Sequence, residues 1–227
     1  MARFDPYENN GGTCVAVAGA DYCVVAADTR LSLGYSILSR GHSKIAYLAD
    51  KCVLASSGFQ GDTKILQKSL AAKELESLVC EHYHNKKMSC HAMAQLLSNT
   101  LYSKRFFPYY AFNLLGGLDR EGKGCVFTYD AVGSFERTGY SAQGTGAALM
   151  MPVLDKQLKS PSPLLLPARD AVTHLSESDA VDMVNDVFAS ATERDIYTGD
   201  NLEIIVINSS GAHRECIELS SVELRKD

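Results

Sequence analysis

The chain has 227 residues, 46% of them hydrophobic and 22% charged, with a formal net charge of −5. That length is enough to bury one sizeable core, and the mild acidity without long Lys/Arg runs argues against nucleic acid or an anionic membrane surface as the main partner. No apolar stretch approaches the roughly 20 residues that span a bilayer and the opening residues lack a signal-peptide core, while seven scattered cysteines without a C-x-x-C pair read as small buried side chains in a reducing compartment, not a disulfide framework.

In chain order, residues 13–18 (TCVAVA) and 22–27 (YCVVAA) are short apolar runs separated by Gly19-Ala20-Asp21, the pattern of a first β-hairpin. A third strand is predicted over 51–56, ending in the turn-forming series 57–62 (SGFQGD). From 62 to 84, Ile65, Leu66, Leu70, Leu75, Leu78 and Val79 recur at helical spacing, with Asp62 as the expected N-cap. A second amphipathic helix follows over 90–104 and stops before Pro108. Strands are predicted at 110–118 and 125–129 around a Gly- and Asp-containing hairpin loop, and again at 134–141. Helical patterns resume at 145–158 and, beyond a proline-rich loop at 160–167, at 176–193; two final strands at 202–208 and 213–219 flank the turn Ser209-Ser210-Gly211. Hairpins grouped apart from helix pairs favour an α+β layered fold, with two facing sheets and helices on both outsides, over the βαβ alternation of a parallel sheet.

Several weaker signals have plain readings. Glu81, His82, His84, Cys90 and His91 are metal-binding types at a spacing that fits no zinc pattern and read as a polar helix end. Gly144-Thr145-Gly146 lacks the rest of a dinucleotide fingerprint and is expected to cap a helix. Asn208-Ser209-Ser210 is a formal glycosylation sequon of no expected use without secretion. The aromatic run Phe106-Phe107-Pro108-Tyr109-Tyr110 suits either core or a subunit contact.

Six segments in fixed order carry a more specific signal: NGGT at 10–13, AADTR at 26–30, SGFQGD at 57–62, KRFFPYY at 104–110, GGLDREGKG at 116–124 and ATERDIYTGD at 191–200. Together they resemble the beta subunits of the proteasome, within the N-terminal-nucleophile hydrolases, over nearly the whole chain. The resemblance implies a four-layer αββα sandwich of two antiparallel sheets with outer helix pairs, residues 1–12 forming an extension and 13–227 one domain. It implies assembly with other alpha and beta subunits into two-fold stacked heptameric rings that degrade unfolded, mostly ubiquitin-tagged polypeptide in cytoplasm and nucleus, with no cofactor, nucleic acid or membrane partner.

Active members of that family attack with the hydroxyl of an N-terminal threonine whose own amine is the base, supported by an acid, a lysine and an oxyanion-hole N–H. By position, Asp28 matches the family aspartate, Lys44 the lysine, Gly58 the oxyanion-hole glycine, Asp195 and Thr198 the acid and hydroxyl that orient the amine, and Thr145 a neighbouring serine. Family spacing counted back from Asp28 puts Gly12 at the nucleophile position, one residue before Thr13. The KRFFPYY and GLDREGKG segments also differ from catalytic members, so the expectation is a non-catalytic subunit with a vestigial shell. The alternative is an active threonine endopeptidase that uses Thr13 after cleavage at Gly12–Thr13. The resemblance further places Asp130 at the border of a neighbouring subunit's substrate pocket and the carbonyls of Thr192, Asp195 and Thr198 where some members hold a structural cation.

Overall fold

Strand β1 (Thr13–Ala18) and β2 (Cys23–Asp28) are buried at every position, which is why their sequences are continuous apolar runs without a polar alternation: both faces are covered. They pair antiparallel, Cys14 opposite Ala27 and Ala18 opposite Cys23. This computed structural model describes residues 6–49, 51–84, 88–158 and 172–219, the side chains of 74–84 excepted. The proline-rich loop at 160–167, residues 1–5 and the side chains of Glu81, His82 and His84 therefore lie outside the described residues.

Strands β10 (Tyr140–Gly144), β11 (Asn201–Asn208) and β12 (Gly211–Glu218) join the first pair in a five-stranded sheet of order β10-β1-β2-β11-β12. The second sheet also has five strands, in sequence order: β5 (Ile45–Ala49), β6 (Cys52–Gly58), β7 (Ala111–Leu118), β8 (Gly124–Tyr129) and β9 (Phe135–Thr138). All pairings in both are antiparallel. A separate hairpin, β3 (Leu31–Leu33) with β4 (Ser36–Ser39), turns through Gly34, whose φ of +57° suits the first position of a two-residue loop.

Helices α1 (Gln60–His84) and α2 (Cys90–Tyr102) pack on the second sheet, α3 (Ala147–Leu158) and α4 (Glu177–Thr192) on the first. Three apolar layers result. One lies between the first sheet and α3/α4 (Val15, Val24, Phe188, Ile204), one between the second sheet and α1/α2 (Leu54, Leu66, Leu97, Phe127), and one between the sheets (Cys14, Val25, Val53, Leu114, Ile205). Each large aliphatic side chain so buried contributes about 1.5–3 kcal/mol. The architecture is the expected α+β, αββα sandwich. Among the described residues no helix is long and apolar enough to cross a membrane.

Three details differ from expectation. β3, β4 and β5 went unpredicted, and the strand expected over 134–141 is two, β9 and β10, broken at Gly139. Asp62 is not the cap of α1, which begins earlier at Gln60; its Oδ2 instead accepts the Tyr110 N–H at 2.8 Å and ties helix to sheet. The six described cysteines are free and five are buried, but Cys216 is exposed on edge strand β12.

Candidate functional site

Asp28, the last residue of β2, is fully buried, and its two oxygens collect four donors. Oδ1 accepts the Thr13 N–H at 2.7 Å; Oδ2 accepts the Arg30 N–H at 3.1 Å and the Gly199 N–H at 3.3 Å and pairs with Lys44 Nζ at 3.1 Å. Burial pushes the Asp28 carboxyl up, against the pull of Lys44 and the backbone N–H groups. Lys44, also buried, gives its two other protons to the carbonyls of Asp28 at 2.7 Å and Arg30 at 2.6 Å. An ammonium has three donors, and here each has an acceptor.

Thr13 opens β1 at zero exposure. Its Oγ1 accepts the Gly146 N–H at 2.8 Å and lies 2.7 Å from Thr198 Oγ1. Thr198 donates its single hydroxyl proton to Asp195 Oδ2 at 2.7 Å, so the Thr13 hydroxyl must be the donor to Thr198. Thr145 Oγ1 donates to the same Asp195 oxygen at 2.6 Å, and the Tyr197 N–H occupies Oδ1 at 3.1 Å. The carboxylate thus terminates a proton-ordered chain from Thr13 through Thr198.

Gly12 stands between these two groups with φ +90°, and its carbonyl accepts the Thr145 N–H at 3.1 Å. A Cβ added there would fall 2.1 Å from Lys44 Cε and 2.7 Å from Nζ. The lysine stem therefore occupies the volume a side chain at position 12 would need, and because Nζ is held three ways the stem cannot yield freely.

The segment before Gly12 is a strap laid across the cleft. Asn10, buried, donates its N–H to the Gly58 carbonyl at 3.1 Å and accepts the Ser32 N–H on its own carbonyl at 3.2 Å. Its side chain donates Nδ2 to the Ser32 carbonyl at 3.0 Å and accepts the Gln60 N–H on Oδ1 at 2.9 Å. One residue so spans β3 on one wall and the β6–α1 junction on the other, and supplies the α1 N-terminus with an acceptor from fifty residues away. Sequence reading missed Asn10 altogether; it was visible only as a letter in NGGT. Farther out, Tyr7 Oη donates to the Pro108 carbonyl at 2.8 Å and its ring stacks on Phe107.

The structure thus brings Thr13, Asp28, Lys44, Thr145, Asp195 and Thr198 together, with Gly58 in contact through the strap. Asp130 sits elsewhere, on the exposed turn from β8 to β9, where Oδ1 accepts the N–H groups of Val132 at 3.0 Å and Ser134 at 2.7 Å. Thr192 and Thr198 line an open cleft of about 760 Å³ with Arg30, Arg40 and Asp200; the Asp195 carbonyl accepts the Thr198 N–H at 3.3 Å. Among the described residues, no three His, Cys, Asp or Glu side chains are grouped to hold a metal ion.

Comparison with known proteins gives the lineage of this site. The proteasome subunit family matches residues 8–207. The chain belongs to the proteasome subunit family. Its relatives include proteins named proteasome subunit beta type-1 from Oryza sativa subsp. japonica, 80% identical over 94% of this chain and 95% of the relative, and from Petunia hybrida, 70% identical over 100% and 98%. The same name belongs to an Arabidopsis thaliana protein 68% identical over 100% of this chain and 98% of its own length.

Proposed function

We propose that this chain is a non-catalytic beta type-1 subunit of the proteasome core particle, building the wall of a chamber in which other subunits cut unfolded, ubiquitin-tagged polypeptide. The observation that carries this reading is the pair Gly12–Lys44: a residue without a side chain at the nucleophile position, with the lysine stem in its place. Two further features support it. A lysine that assists a threonine nucleophile must turn a proton towards it, whereas all three Lys44 protons are taken by Asp28 and Arg30. The strap through Asn10 fills the groove between Ser32 and Gly58, where an extended peptide would otherwise lie. The Asp28–Lys44 pair then acts as a buried tie between β2 and the segment leading into β5.

The native particle, exposed to an electrophile that captures N-terminal threonine, is expected to yield this chain unlabelled, with a mass that retains residues before Thr13. Replacement of Lys44 by Ala in assembled particles is expected to leave every peptidase activity in place. A labelled chain starting at Thr13 would overturn the reading.

One observation favours a second reading, in which cleavage at Gly12–Thr13 frees an active subunit. The proton chain Thr13–Thr198–Asp195 already offers the hydroxyl an acceptor, and the Thr13 nitrogen, which would become the amine, lies 2.7 Å from Asp28. The same mass measurement separates the two.

A further inference from the structure

The sequence leaves the aromatic run of KRFFPYY open between core and subunit contact, and the fold divides it. Tyr109 and Tyr110 are partly buried, whereas Phe106 is 88% exposed and Phe107 64%. Tyr102, at the end of α2, is 56% exposed beside them. Exposed large aromatics on a mobile loop would need no explanation, but this loop is built. Consecutive turns hold it through Ser103 N–H to Asn99 O at 3.0 Å, Lys104 N–H to Leu101 O at 3.0 Å, Arg105 N–H to Tyr102 O at 3.1 Å and Phe107 N–H to Lys104 O at 2.9 Å. Ser103 Oγ closes the last turn of the helix on the Thr100 carbonyl at 2.7 Å. The Arg105 guanidinium lies over both the Tyr102 ring, at 4.6 Å, and the Phe106 ring, at 4.4 Å. From below, Tyr7 braces Phe107 and Pro108.

We infer that the knuckle from Tyr102 to Phe107 is a preformed docking point for another subunit of the same particle, whose matching surface is an apolar pocket rimmed by carboxylates. Aromatic and arginine side chains carry the energy of protein interfaces, and a loop already fixed by its own hydrogen bonds loses little freedom on docking. Charge selects the partner. Residues 102–110 contain Lys104 and Arg105 and no acid. A second copy meeting knuckle to knuckle would set like charges against each other, so the complementary face belongs to a different subunit. Because Tyr7 is both a brace of the knuckle and the outer end of the strap, a partner that clamps Phe107 also holds the strap in its groove.

This inference rests on the chain being a subunit of a larger particle, so the test reports on both separately. A photo-crosslinking benzoylphenylalanine is placed at Phe106, the intact particle is purified and irradiated, and the joined peptides are sequenced. The expected product is a crosslink to one segment of another subunit that contains apolar residues flanked by Asp or Glu. A crosslink confined to this chain, no crosslink at all, or a partner segment without acids would overturn the inference. In parallel, the double substitution Arg105→Glu, Phe106→Ser is expected to lower incorporation into particles about tenfold or more against the wild-type chain in the same cells. Both positions are on the surface, so the variant retains its fold. Equal incorporation overturns the docking inference, whereas failure of the wild-type chain to enter particles overturns the subunit reading instead.

Discussion

Lys44 and Asp28 form a matched set of donors and acceptors in a buried layer, and such pairs fail badly when halved. Removing the lysine leaves Asp28 a buried carboxylate with only backbone partners. Lys44→Met is therefore expected to destabilise the subunit by about 3–5 kcal/mol, and adding Asp28→Asn to recover much of that loss. Thermal unfolding of purified particles carrying each variant measures it; a double variant worse than the single would sink the argument. Gly12→Ala is expected to cost about 1–3 kcal/mol by the same measurement, from crowding against Lys44 at a positive φ. His42 titrates in the opposite sense to a paired base. Burial first, then Lys64 and Lys44, bring its pKa down to about 4, so between there and the ordinary value near 6.5 the unfolded chain binds the proton that the folded chain refuses. Stability therefore falls as pH drops from about 6.5 towards 4, moderately because the residue is partly exposed, and His42→Gln is expected to flatten that part of the melting-temperature profile.

At the level of elements, what could be read from sequence depended on whether burial was two-sided, one-sided or absent. β1, β2 and β11 are mostly apolar because helices cover one face and a sheet the other, and their bounds lay within a residue of expectation. β3 and β4 present Leu33, Ile37 and Leu38 to solvent, so no burial period marks them; the glycine at the first loop position was the available signal. α2 and α4 were legible from apolar spacing alone; the structure adds their caps, Ser89 and Ser176, which accept the N–H groups of Ala92 and Asp179, three residues on. Ser176→Ala is expected to cost about 1 kcal/mol and to lower the melting temperature by about 2–4 °C, read by calorimetry. The start of α1 was misplaced because its acceptor, Asn10, is remote in sequence, and no local pattern encodes a cap brought in by a tertiary strap.

For the whole molecule, the two sheets and their outer helices follow from grouped hairpins and helix pairs, while the site does not. Asp28, Lys44, Thr145 and the pair Asp195 and Thr198 come from four separate stretches, and composition or periodicity says nothing of their meeting; family resemblance alone joined them. The layered fold holds these residues in place whether or not they do chemistry. The Gly12–Lys44 arrangement also bears on reversibility. On the proposed reading, a mutation introducing threonine at position 12 would first meet a lysine stem that fills its space and a strap that occupies the groove. Regaining a nucleophile would need the side chain, the lysine's release and a new cleavage before position 12 to arrive together, each alone being costly or idle. On that reading the arrangement works as a ratchet, closed to return by any single substitution.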